Sequence, residues 1–224
     1  MFFSPFSILF FFIFLIFFFI VFTFIHIGLI TIAFERLGLT EGQTLGILLL
    51  SLLGSNINIP IKKIEVPSFD EPLGKRVQFF GMVYNVPQDQ NGQMIIAINL
   101  GGAVVPFLLS CYLMVKNGIF FEPILAALLV SAITYFFAKP VPGVGIAIPM
   151  IIPPFIAVLV ALILGPIHHA PAIAYIAATM GTLLGADIYH LKDIRKIQAP
   201  LVSIGGAGTF DGIFLAGIIA VLLA

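Results

Sequence analysis

The chain has 224 residues, 61% of them hydrophobic and 9% charged, with ten Lys and Arg balancing ten Asp and Glu. Soluble domains run at about 45–50% apolar and about 25% charged, so this composition excludes a soluble globular enzyme, a disordered chain and a nucleic-acid binder working through a basic face. What remains is a polytopic integral membrane protein whose first partner is the lipid bilayer.

Seven segments are long and apolar enough to be read as spans, since a bilayer core of about 30 Å needs about 20 apolar residues. The first covers residues 8–34. Twelve of the first 24 residues are Phe, with no polar stripe, which points to a helix facing lipid on most sides. No basic residue precedes it and no Ala-x-Ala site follows, so it reads as a retained helix rather than a cleaved signal. The second covers 43–59, with Thr40-x-x-Gln43 as a capping box at its start and Asn56, Asn58 and Pro60 at its close.

Residues 60–92 interrupt the pattern with Lys62, Lys63, Glu65, Asp70, Glu71, Lys75 and Arg76. Val77–Val86 is β-prone, Gln88–Gly92 is a turn signal and Gln93–Asn99 is apolar again, so a small β-hairpin outside the membrane is expected. Met94–Leu100 also suits the start of the next helix. Spans three to seven are expected over 99–115, 119–138, 144–164, 171–186 and 201–223. Pro149, Pro153 and Pro154 should kink or interrupt the fifth. Glu122-Pro123 suits the first turn of the fourth. The expected fold is thus an all-α membrane bundle of about seven transmembrane helices with a small cytoplasmic β-hairpin insert. Its parts are 1–59 (two helices), 60–98 (the insert) and 99–224 (a five-helix core).

Alternation of seven spans puts Lys62, Lys63, Lys75, Arg76, Lys139, Lys192, Arg195 and Lys196 on one side, and only Arg36 and Lys116 on the other. By the positive-inside rule the first side is cytoplasmic. The protein is then a multi-pass cell-membrane protein with its N-terminus inside and its C-terminus outside. Cys111, the single cysteine, reads as a small buried hydrophobe.

Polar groups inside apolar spans are costly and are functional candidates by default. Asp211 comes first. It lies in the seventh span after Gly205, Gly206 and Gly208 and before Gly212, glycines that let a backbone open or pack closely. Asp187 closes the sixth span, with His190 three residues on and expected on the same helix face. Consecutive antiparallel helices usually pack together, so the two carboxylates are expected to meet and share a proton. In such a dyad one activates water while the other protonates a carbonyl. His168-His169 falls on the opposite side from Asp187 and His190, so they cannot share an ion, and His26 is alone in its span. Neither a metal nor another cofactor gains positive support.

Two aspartates on helices six and seven with a cytoplasmic loop between them resemble the presenilin-type intramembrane aspartyl proteases. That resemblance implies catalytic Asp187 and Asp211 and a membrane-protein or peptide substrate. The sequence departs from the pattern: Ala186 stands before Asp187 where that family has Tyr, and Gly206-Ala-Gly208-Thr-Phe-Asp211 is longer than Gly-x-Gly-Asp. The stretch Gly205–Gly212, and most of the chain, is similar to an uncharacterised prokaryotic membrane family, a domain of unknown function, which implies no activity.

The first functional expectation is therefore a di-aspartate intramembrane hydrolase acting near the cytoplasmic side, with Gly205, Gly206, Gly208, Gly212 and His190 in support. The second is a proton- or cation-coupled carrier of a small solute with Asp211 as coupling site. Breaks at Asn99–Pro106, Pro140–Pro154 and Gly205–Gly212 suit a carrier, and the first and third share Gly-Gly-Ala. A carrier this small is expected to form a homodimer. The third is a non-catalytic scaffold. Nucleic acid is not an expected partner.

Overall fold

The computed structural model describes residues 16, 19, 27–65, 76–79, 82–85, 93–141, 145–197, 201–206 and 212–224. The described part of α1 is Ile27–Arg36, and α2 (Glu41–Gly54) leaves it at 116°. The expected capping box opens α2: the Gln43 amide donates to Thr40 Oγ1 at 3.3 Å, and the Thr40 amide donates to Gln43 Oε1 at 3.0 Å. Helix α3 (Val105–Asn117) follows a π-helical segment, Leu100–Val104, and stops at Gly118 with φ 64°. Then come α4 (Phe121–Phe137), α5 (Ile152–Leu164), α6 (Ala170–Thr182) with a second π segment over Leu183–Ile188, and α7 (Gly212–Leu223).

Among the described residues, two helices are long and apolar enough to cross a membrane, Leu100–Asn117 and Ile167–Ile188, and a third if the bent pair of α1 and α2 is one span. Helices α4, α5 and α7 are apolar but shorter. The lost length went into strands. The fifth segment starts its helix only at Ile152, after a hairpin of β5 (Lys139–Val141) and β6 (Gly145–Ala147). Pro153 and Pro154 fall in its first turn, where a missing amide costs nothing. The seventh starts as a strand, β7 (Leu201–Ile204), and becomes helical at Gly212.

The expected hairpin is also rearranged. Strand β4 (Gln93–Asn99) is a strand, not the start of a helix, but its antiparallel partner is β1 (Asn58–Glu65), with Asn58 opposite Asn99. Residues 77–86 instead contribute to a separate hairpin of β2 (Arg76–Phe79) and β3 (Met82–Asn85). Strand β7 adds to β4 in parallel, Ile98 opposite Ile204, giving a sheet of order β1-β4-β7. Proline and a bulge between Pro60 and Lys62, with two lysines, blunt the outer edge of β1.

Helix α6 is the centre of the bundle: eleven of its thirteen residues are buried, and α3, α4, α5 and α7 all pack on it. Small residues permit this. A Cβ on Gly181 would stand 2.7 Å from the Val130 side chain, and one on Gly185 would meet the Ser131 carbonyl. Outward-facing Ile163 and Ile167 are 80% and 83% exposed, as side chains meeting lipid tails would be. Arg36 donates to the carbonyls of Val221 and Leu222, and Lys116 to those of Leu37 and Gly38, so the C-terminal ends of α1, α3 and α7 share one end of the bundle.

Helix α2 touches the rest through Gly54, which lies against Gly101; a Cβ on Gly101 would run into the Ser51 carbonyl and the Ser55 amide. Gly101→Ala should therefore lower the unfolding free energy in detergent by about 1–3 kcal/mol through overpacking. Gly46→Ala on the same helix has open space around its Cβ and should be neutral or stabilising by about 0.5–1 kcal/mol. Equal midpoints for the two variants in thermal unfolding would contradict the close approach.

Candidate functional site

Strands β4 and β7 run side by side in the same direction, and each hands over to a helix through glycines, Gly101-Gly102 after β4 and Gly205-Gly206 after β7. The two junctions touch. A Cβ on Gly205 would stand 2.6 Å from Ala103, and Gly205 has φ 82°, a conformation that glycine adopts freely.

Asn99 fixes this region. Its Nδ2 donates to the Ser55 carbonyl at 2.6 Å and to Asn58 Oδ1 at 3.0 Å, while its Oδ1 accepts from the Gly102 amide at 2.8 Å. Asn58 Oδ1 also accepts from Ser203 Oγ at 2.6 Å, and Ser51 Oγ donates to the Gly101 carbonyl at 2.8 Å. One buried amide thus ties α2, β1, β4 and, through Asn58, β7.

Asp187 belongs to the π segment after α6. Its Oδ2 accepts from the Gly205 amide at 2.7 Å, a charge-assisted bond across 18 residues. Asp187 lines a cavity of about 120 Å³ with Thr182, Ser203, Gly206 and Gly212 among its neighbours. Four of the expected site residues, Asp187, Gly205, Gly206 and Gly212, are thereby gathered around one place. Gly208 and Asp211 lie outside the described residues, and so does His26; the meeting of Asp187 with Asp211 falls with them.

His190 goes elsewhere. It is buried, its Nδ1–H donates to the Gly185 carbonyl at 3.1 Å, and its ring lies 4.7 Å from that of Tyr135 on α4. It is not among the described residues lining the Asp187 cavity. The helix accounts for this: it ends with the π segment at Ile188, and His190 lies in the turn beyond it, so the three-residue helical spacing no longer applies. His168 and His169 have ring centroids 4.1 Å apart. Among the described residues no three His, Cys, Asp or Glu side chains are grouped as a metal ion would need.

The sequence reading missed Asn99, Asn58, Ser203 and Ser51 as a connected set. Asn58 reads there as a helix terminator, and Asn99 and Ser203 mark the edges of spans. A signal was present: Asn99 and Ser203, two short polar side chains, stand beside Gly-Gly pairs in apolar surroundings.

A family model described as "Protein of unknown function (DUF1614)" matches residues 52–223. The chain belongs to that family, and the match takes in Asn58, Asn99, Asp187, Ser203 and Gly205, though not Ser51. No curated protein and no solved structure matches. The resemblance to presenilin-type proteases gains no support from these comparisons.

Replacing Asn99 by Ala strands the Ser55 carbonyl and the Gly102 amide in a buried place, so a loss of about 2–3 kcal/mol is expected. Chemical denaturation in detergent measures it. A change within about 0.5 kcal/mol, the size of an ordinary surface substitution, would remove Asn99 as the tie.

Proposed function

We propose that the protein is a polytopic carrier of the cell membrane in which the Asp187 cavity binds a proton or small cation and couples it to the movement of a small solute. One observation carries the reading. A carboxylate held by the Gly205 amide lines a small cavity between a π-distorted helix end and a strand that breaks before its helix. Carriers build ion sites in this way, from interrupted elements whose loose backbone lines a cavity. The volume of about 120 Å³ takes about four waters at about 30 Å³ each. Sites for drug-sized ligands need about 300–1,000 Å³. Asp211 is proposed as the coupling residue.

The Gly205–Asp187 bond favours a second reading as well. It ties the helix bearing Asp187 to the strand leading toward Asp211, as a di-aspartate hydrolase acting on a membrane peptide requires. A scaffold needs neither carboxylate. For either activity we place seven crossings in the membrane, the N-terminus in the cytoplasm and the C-terminus outside. Two features support that topology: the eight-to-two distribution of basic residues and the shared end of α1, α3 and α7. A homodimer is the assembly proposed for a carrier of this size.

The full chain reconstituted in liposomes decides between the readings. Asp187→Asn should cut protein-dependent proton or cation flux by at least about tenfold, as loss of an intramembrane charge site would. Cleavage of a fluorogenic transmembrane peptide, abolished by Asp187→Asn and by Asp211→Asn, would establish the hydrolase instead. Variants indistinguishable from the parent in both assays would dispose of both.

A further inference from the structure

We infer that the ion held at Asp187 is a singly charged metal cation such as sodium, and that Thr182 and Ser203 supply oxygens to it; this rests on reading Asp187 as an ion site. All three residues line the same cavity, and they reach it from different elements. Ser203 comes from β7, Asp187 from the π segment, and Thr182 is the last residue of α6. In an α-helix, residues five apart stand about 140° from each other, so Thr182 and Asp187 would face different ways. A π turn closes its bonds from one residue to the fifth beyond it, which stacks Asp187 one turn from Thr182. The distortion thus brings a hydroxyl and a carboxylate to one cavity.

What the two hydroxyls offer follows from where their hydrogens go. Asn99 is fixed by two backbone groups: its oxygen accepts the Gly102 amide and its nitrogen donates to the Ser55 carbonyl. The second hydrogen on that nitrogen goes to Asn58, which must therefore present its own oxygen. Ser203 meets that same oxygen at 2.6 Å, so the Ser203 hydroxyl has to donate. Thr182 likewise donates, to the Ala178 carbonyl at 2.6 Å. The amides of Gly205 and Gly206 are also taken, one by Asp187 and one by the Ser203 carbonyl. Each hydroxyl is left with lone pairs to offer, and an ionised carboxylate only accepts. The polar side chains lining the cavity among the described residues are therefore a set of acceptors.

A metal cation answers such a set, because its ligands are oxygen lone pairs. A proton sits between two oxygens, so it would serve Asp187 and one hydroxyl only. Charge then selects a single positive charge. Among the described residues that line the cavity, Asp187 alone is charged, and Ile146, Leu191, Ile194 and Ile213 make the walls apolar. One carboxylate neutralises one positive charge. A divalent ion would leave a net charge in apolar surroundings, which is expensive. The volume of about 120 Å³ admits the ion with about two or three waters at about 30 Å³ each, so a carboxylate, two hydroxyls and water make up its shell.

The test follows thermal unfolding of the full chain in detergent while sodium chloride replaces choline chloride at constant ionic strength and pH. A ligand that binds the native state raises the midpoint, so the midpoint of the parent should climb with sodium. Asp187→Asn keeps an acceptor for the Gly205 amide and should lose the response. Thr182→Val, nearly isosteric, and Ser203→Ala should each raise the sodium concentration at half-response at least about tenfold, since even partners outside a ligand shell cost that much. Thr182→Ser keeps the oxygen and should respond like the parent. Ser203→Ala also strips a donor from Asn58, and if it fails to fold the two Thr182 variants carry the test. A parent indifferent to sodium and potassium, yet carrying protons into liposomes in a way that Asp187→Asn abolishes, overturns the metal ion and leaves the ion site standing. So does a parent stabilised through Asp187 by magnesium or calcium and not by sodium or potassium. An unchanged sodium response in Thr182→Val removes the hydroxyl shell. If Asp187→Asn responds to sodium like the parent, the ion site itself falls and the inference with it.

Discussion

The arrangement depends on how a small sheet ends where apolar helices begin. Backbone amides and carbonyls at such an edge must be paired, because neither lipid nor packed side chains offer partners. The Asn99 side chain does this. Its two amide hydrogens go to the Ser55 carbonyl and Asn58, and its oxygen takes the Gly102 amide at the wide π turn that leads into α3. No purely apolar residue does both, and a carboxylate would set oxygen against oxygen at Ser55. The tie extends through Asn58 to Ser203 and so holds β7 in place beside β4.

That placement delivers Gly205 to Asp187. The two strand-to-helix junctions are interlocked: Gly101 fits under Ser51 and Gly54, while Gly205 fits against Gly102 and Ala103. Each glycine occupies a position that the other element would otherwise fill. The start of the Gly-Gly-Ala string common to both junctions is thus a matter of contact, Gly205 facing Gly102 and Ala103. The carboxylate that accepts the Gly205 amide comes from a helix end that has widened into a π turn, a distortion frequent at functional sites. Asp187, the junctions and the sheet end form one mechanical unit.

Much of this was legible from composition and spacing. The apolar runs locate α3 to α6, Thr40 and Gln43 mark a cap, Glu122 marks a first turn, and Gly205, Gly206 and Gly212 lie at Asp187. Strand β7 was not legible, because a short, apolar strand and a helix segment have the same hydrophobic pattern. Its partner β4 is also about a hundred residues distant, beyond any local signal. Strand β1 was hidden by its lysines, which face outward from an edge and break the alternation. His190 points elsewhere than the sequence reading expected because the helix ends at Ile188, before it.

Charge tells a related story. Arg36 and Lys116 share a second role at one end of the bundle. Both have their donors on carbonyls at helix ends, Arg36 on those closing α7 and Lys116 on those closing the turn after α1. A helix C-terminus carries about half a negative charge on such unpaired carbonyls. A cation there answers a local requirement of the fold, whatever the orientation of the chain. Lys62 and Lys63, by contrast, are exposed on the edge strand β1 and, among the described residues, make no such contact to a helix end.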